Sequence, residues 1–269
     1  MSNYVLKRGE IISLDIRSTI SIRYKTITRA INREFWDSSS DTLHSLYVGS
    51  YGRGTAINTS DIDVLVQLPR IEYLKYDTYK GNGQSRLLQV VKNAILSSYP
   101  HTEVRADGQV IKMFFSDGMK FEVLPAFLCN SMIVNAIYEY PDTNMGGNWR
   151  STDPKSEQEA IKKKNIDTNG LLIDTCKHMR YIRDNYFSSY HLSGIVIDSF
   201  VYNTIGNWSW LEPTCTSTTA IGEYENTLYN NYLSKYKYLK FINAPGSNQQ
   251  VDLSSSRDCL EKVLYKMTQ

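Results

Sequence analysis

This chain lacks a charge imbalance: its 30 basic and 28 acidic residues nearly cancel. No global field therefore argues for a protein that coats nucleic acid or a membrane, and any nucleic-acid surface must be a local patch. Cysteine and histidine are scarce. Cys129, Cys176, Cys215 and Cys259 lie far apart without a C-x-x-C pair, and His44, His101, His178 and His191 add no cluster of zinc-ligand spacing. Free buried thiols in a reduced compartment are the reading. No apolar run approaches a membrane span, and "MSNYVLKRGEIISLDIRS" carries charges throughout, which reads as cytoplasmic. Repeats and low-complexity tracts are missing, as is the G-x-x-x-x-G-K-[ST] loop, the commonest phosphate cradle.

What is present is 269 residues, enough for one large domain or two modest lobes. From Arg8 to Trp36, apolar residues recur at Ile16, Ile20, Tyr24, Ile27, Ile31 and Phe35, steps of three and four that predict a long amphipathic helix. "DSSSD" ends it and "LHSLYV" reads as a short strand, with a second strand at "DIDVLVQL". "QSRLLQVVKNAILSSYP" has helical spacing up to Pro100. "QVIKMFF" and "KFEVLPAF" flank Asp117-Gly118, a hairpin signal. A glycine pair in "MGGNWRSTDPKS", then Asp153 before Pro154, mark a turn and a helix start. The lobe boundary is placed there, giving 1–150 as a core with a spine helix and 151–269 as a helical lobe. Helical patterns over about 155–165, 170–187, 192–206, 217–239 and 255–267 fill the second part.

The chemistry gathers at "VGSYGRGTAINTSDIDVLVQLP" (48–69). In an extended strand Asp61 and Asp63 project to one face while Ile62, Val64 and Val66 turn into a core. A bare D-x-D reads as a capping aspartate beside a solvated neighbour. Here the pair follows a Gly49-Ser50 turn, whose backbone and hydroxyl suit an anionic group such as phosphate. Two carboxylates so close repel unless a cation lies between them, and magnesium takes hard oxygen ligands, so a third acid is expected nearby. Glu122, an ionisable residue in the apolar run "KFEVLPAF", is the candidate; an edge-strand glutamate facing water fits the pattern as well.

"GSYGRGTAINTSDIDV" with "FEVLPAF" resembles the nucleotidyltransferase superfamily of DNA polymerase beta, and more narrowly the cyclic GMP-AMP synthase and CD-NTase family. "GGNWRSTDP" and "NGLLIDTCKHMRYIRD" resemble segments of its bacterial branch. The resemblance implies an α+β fold with a mixed sheet, a spine helix and a helical lobe, and an active site in the cleft between. It also implies two magnesium ions, with manganese as the alternative, on Asp61, Asp63 and Glu122. Gly49, Ser50, Arg53, Lys177 and Arg180 would meet the triphosphate; the i, i+3 spacing of Lys177 and Arg180 puts them on one helix face, and a solvated face fits either one alone nearly as well. In "SSYHLSGIVID", Ser189 would lie near phosphate and Tyr190 under a base; His191 reads as a satisfied structural histidine rather than a catalytic base.

The implied activity joins nucleoside triphosphates, with loss of pyrophosphate, into a cyclic di- or trinucleotide that a separate effector protein binds in bacterial antiphage signalling. The zinc insertion of the animal DNA sensor is missing, which argues against zinc-dependent DNA binding and leaves a protein or RNA activator open. Two rivals stand: a nucleotidyltransferase acting on a protein, small molecule or RNA end, and a catalytically silent nucleic-acid sensor of the same fold.

Overall fold

The computed structural model describes residues 4–129, 136–212 and 219–269. Contacts divide the chain into two compact units, one of Ser13–Gly52 and Asp61–Lys155, the other of Met1–Ile12, Arg53–Ser60 and Ser156–Gln269. The units are thus interleaved along the sequence, unlike the linear division at 150. Residues 53–60, which join the Gly-Ser turn to the aspartates, pack with the second unit.

The first unit opens with α1 (Leu14–Phe35), which contains the whole apolar stripe and starts six residues after Arg8. Then come β1 (Ser45–Tyr47), the single turn α2 (Gly49–Gly52), β2 (Ile62–Gln67), α3 (Arg70–Asp77) and α4 (Gly83–Leu96). Asn82 caps α4 by accepting from the Ser85 amide. β3 (Glu103–Asp107), β4 (Val110–Phe114), β5 (Lys120–Leu128), β6 (Tyr138–Asp142) and β7 (Asn148–Thr152) complete it. The strands run β1-β2-β5-β4-β3, with β6 on β5 and β7 on β6. Only the β2–β5 pair is parallel among the described strands.

Alternation along these strands sorts the core into two faces. Ile62, Val64 and Val66 of β2, Ile111 and Met113 of β4, and Phe121 and Val123 of β5 pack with Ile20, Ile27 and Ile31 of α1 and Leu87, Val91 and Ile95 of α4. The opposite face holds a smaller cluster around Val48, Leu65, Ala126 and Tyr138. Each buried helical face accounts for the apolar stripe seen in the sequence, and the thinner cover of the second face leaves room for polar side chains there.

The second unit contains α5 (Pro154–Asp167), which Pro154 opens directly after Asp153, α6 (Leu171–Tyr186), α7 (Gly194–Thr204) and α8 (Glu223–Asn231). α8 runs on as a π-helical turn over Tyr232–Tyr236. The hairpin β8 (Phe241–Asn243) and β9 (Gln250–Asp252) leads to α9 (Arg257–Met267). Its core joins Leu172, Cys176 and Met179 of α6, Ile197, Phe200 and Val201 of α7, and Leu260, Val263 and Leu264 of α9. Cys215 and the first residues of the helix expected from 217 lie outside the described residues. Cys129, Cys176 and Cys259 are free thiols; the last two are buried, whereas Cys129 is only half-buried. Among the described residues no helix is long and apolar enough to cross a membrane.

Candidate active site

β2 and β5 run parallel in a register that pairs Asp63 with Glu122. Both side chains lie on the thinly covered face, since their neighbours Ile62, Val64, Phe121 and Val123 all belong to the opposite core. Asp61, one residue before β2, is exposed, and Asp63 is half-buried. The turn and the acid meet directly. Gly49 has φ +57°, and a Cβ there would sit 1.8 Å from Asp63 Oδ2, so only glycine lets the carboxylate lie over this backbone. The Val48 amide donates to the Asp63 carbonyl at 2.9 Å, fixing the turn against β2. Ser50 follows in the first turn of α2.

Burial pushes the Glu122 carboxyl above its ordinary value; Lys112 opposes the rise, while Asp61 and Asp107 add to it. The influence of Asp61 places it in the same electrostatic neighbourhood. Lys112 is the companion that pattern reading did not single out. It stands opposite Glu122 on β4, with Nζ 3.8 Å from Glu122 Oε1 and 2.7 Å from Asp107 Oδ2. The signal was available: the Asp117-Gly118 hairpin sets the β4–β5 register, and that register aligns Lys112 with Glu122.

Asp61, Asp63 and Glu122 offer hard carboxylate oxygens, the donor set that suits magnesium, and the glycine cradle under Asp63 is one that a Cβ would fill. As the side chains stand, no group of three or more His, Cys, Asp or Glu residues among those described closes to ion-binding distance. The donors therefore fit the ion by chemistry and by register, and their carboxylates would have to turn inward to share one.

The residues expected on the triphosphate divide in the second unit. Arg180 is 1% exposed and buried against Asp198, with Nη1 to Oδ1 at 2.7 Å, and it also donates to the carbonyls of Cys176 and Gly194. Arg53 donates to Asp198 at 2.8 Å and to Glu157 at 2.8 Å, and Thr55 donates to Asp198 at 2.9 Å. The sequence expectation set both arginines on the triphosphate; here their guanidinium groups neutralise a fully buried aspartate. Burial alone would raise Asp198, but Arg180 and Arg53 outweigh it and hold the carboxyl down at about 2. Lys177 is half-buried and near Glu10, so the i, i+3 pair does not present two free cations on one face.

Ser189 and Tyr190 are exposed in the turn after α6. The Tyr190 ring is 45% exposed, edge-on to Phe187 at 6.4 Å, with Lys262 Nζ 5.0 Å from its centroid. His191 is exposed too.

Comparison with known proteins places these features. A probable cyclic nucleotide synthase of Bacillus cereus strain VD146 is 29% identical over 123 residues, a match that spans 43% of this chain and 36%, about a third, of the relative's length. The structure of the Vibrio cholerae cyclic AMP-GMP synthase DncV with a linear intermediate superposes with a TM-score of 0.65 at 14% identity, covering 97% of this chain and 88% of that one. The STING-associated CdnE c-di-GMP synthase of Capnocytophaga granulosa gives 0.64 at 15% identity, covering 93% and 80%. These likenesses establish the α+β nucleotidyltransferase fold. The profile of the Second Messenger Oligonucleotide or Dinucleotide Synthetase domain matches residues 7–165, more than half the chain and the whole stretch from Gly49 to Glu122, and the chain belongs to that family.

Proposed function

We propose that this chain is a nucleotidyltransferase that condenses nucleoside triphosphates, with release of pyrophosphate, into a cyclic di- or trinucleotide. The observation that carries the reading is the cross-strand pairing of Asp63 with Glu122, with Asp61 beside them and Gly49 beneath the Asp63 carboxylate. The names of the relatives, a cyclic nucleotide synthase and two cyclic dinucleotide synthases, support the same chemistry.

Asp61, Asp63 and Glu122 would hold two magnesium ions, which when bound neutralise phosphate charge and orient an acceptor hydroxyl toward the donor α-phosphate. The chain's own contribution is placement. The rigid β2–β5 pair holds two acids at a fixed separation, and the Gly49-Ser50 turn offers amides and a hydroxyl to the triphosphate. Tyr190 offers an exposed ring for a base, and Ser189 a hydroxyl beside it. A cytoplasmic role in antiphage signalling, through an effector protein that binds the product, completes the reading.

The test is incubation with labelled nucleoside triphosphates and magnesium, followed by phosphatase. Phosphatase-resistant label in a small molecule is the expected result. Label on a macromolecule would replace the reading with a transferase acting on another acceptor, and a lack of turnover across nucleotide mixtures and candidate activators would overturn it.

A further inference from the structure

One register row crosses four strands of the sheet on its thinly covered face: Asp63 on β2, Glu122 on β5, Lys112 on β4 and Arg105 on β3. Two acids are followed by two bases, each about 4.8 Å from the next strand. Lys112 stands at the junction. Its ammonium makes a 2.7 Å hydrogen-bonded ion pair with Asp107 and lies 3.8 Å from Glu122, within ion-pair range but too far for a hydrogen bond. Asp107 belongs to β3, away from Asp61 and Asp63 in the strand order, and its side chain is 61% exposed. The lysine therefore has two carboxylates in reach, one assigned to the metal site and one outside it.

We propose that Lys112 is a positioning residue for the third acid, standing in as a built-in cation beside Glu122 while no divalent ion is bound and moving wholly onto Asp107 when one arrives. The inference rests on the metal-site reading of Asp61, Asp63 and Glu122. Its physical basis is like-charge repulsion. Acids gathered on one face of a sheet destabilise each other unless a positive charge lies among them. A lysine, with a compact charge on a flexible four-carbon stem, can supply that charge and withdraw a short distance without any backbone change. Asp107 gives the displaced ammonium a partner, so the divalent ion does not have to leave a cation unpaired. The same ammonium competes with the ion for Glu122, and Asp107 weakens that competition by drawing it away.

The opposed roles of Lys112 and Asp107 predict opposite signs. Binding of Mn2+ alone, without nucleotide, is measured from the loss of the free-ion electron paramagnetic resonance signal. Lys112→Gln is expected to bind Mn2+ about three- to tenfold more tightly than wild type, a size set by a close charge pair that water partly screens. Lys112→Arg, which keeps the charge, stays near wild type. Asp107→Asn binds more weakly, because the ammonium then has only Glu122 to pair with. In the Lys112→Gln background, Asp107→Asn has a smaller effect, because only its direct field at Glu122 remains once the lysine is gone. Melting temperatures in EDTA establish that each variant is folded. If Lys112→Gln leaves Mn2+ affinity unchanged or lowers it, or if Asp107→Asn is equally damaging in both backgrounds, the proposal is overturned while the metal site stands. Equal Mn2+ affinity in wild type and Asp63→Asn would overturn the metal site itself, and this proposal with it.

Discussion

Asp63 and Glu122 lie opposite each other across the single parallel strand pair described in the sheet, although 59 positions separate them in the chain. Parallel pairing demands a long crossover, and α3, α4, β3 and β4 supply it between the two acids. The fold thus brings to one face what the sequence spreads over two distant motifs, and an activity that depends on both should fail when either is neutralised.

The first expected outcome concerns the aspartates. Asp61→Asn with Asp63→Asn should abolish nucleotide condensation while the protein stays folded, because both groups lie on the thinly covered face and neither belongs to an apolar cluster. Loss of the metals forfeits several kcal/mol of transition-state stabilisation, and each ~1.4 kcal/mol is about tenfold in rate. Product assays paired with circular dichroism check this; a folded double variant with wild-type turnover would sink the assignment.

Glu122 should behave in two opposite ways. Its carboxyl is raised in the folded state, by burial first, so the neutral form suits the metal-free fold better than the charged one. A group raised on folding contributes stability below its unfolded value that is lost as pH rises through the folded value. Glu122→Gln, permanently neutral, is therefore expected to melt higher than wild type at neutral pH in EDTA. With Mn2+ added, wild type should gain melting temperature and the variant should not. A variant that gains as much as wild type would make Glu122 an ordinary edge glutamate.

The buried ion network predicts a stability phenotype where the sequence suggested a binding one. Arg180→Met leaves Asp198, fully buried, with one guanidinium instead of two, and breaking such a pair costs about 3–5 kcal/mol. Urea denaturation reads this directly. Because the Asp198 carboxyl is held down at about 2, its contribution is present above the ordinary aspartate value and is lost as pH falls toward 2. Acid denaturation between about pH 4 and 2 should therefore be steeper in wild type than in Asp198→Asn. A stable Arg180→Met protein whose only defect is a raised nucleotide KM would restore the phosphate-binding reading.

Much of this was legible from residue order. Period-two and period-three-to-four patterns locate β2, β5, α1 and α4, because each has one face in a core that tolerates only apolar side chains. The Asp-Gly turn discloses the β4–β5 hairpin. A short polar strand was not legible: β7 sits where "MGGNWRSTDPKS" reads as a flexible boundary, since its pairing with β6 draws on backbone hydrogen bonds rather than on alternation. The β8–β9 hairpin and α3 escaped for a similar reason, each being short and largely exposed. The ion pairs of Arg53 and Arg180 were not legible, because a guanidinium reads as surface charge until its partner is known, and Asp198 lies more than a hundred residues from Arg53. Asp61, Asp63 and Glu122 stood out for the converse reason, being acids in or beside apolar strands.

Tyr190 allows the sharpest separation of chemistry from packing. The ring is 45% exposed, so truncation removes little buried area and should leave stability nearly unchanged, unlike the loss of a core aromatic. Its neighbours hold it in place: Phe187 meets it edge-on and Lys262 lies 5.0 Å from its centroid. If a nucleobase stacks on the open face, the contact is worth roughly 1–3 kcal/mol and tolerates any base, because every base has a π-face. Tyr190→Ala should then raise the nucleotide KM by about five- to a hundredfold, across purine and pyrimidine triphosphates alike. Tyr190→Phe keeps the ring and loses only the hydroxyl, so it should remain near wild type. A Phe variant as impaired as Ala would shift the role to the hydroxyl, and an Ala variant with unchanged KM in a full nucleotide titration would place Tyr190 outside the site.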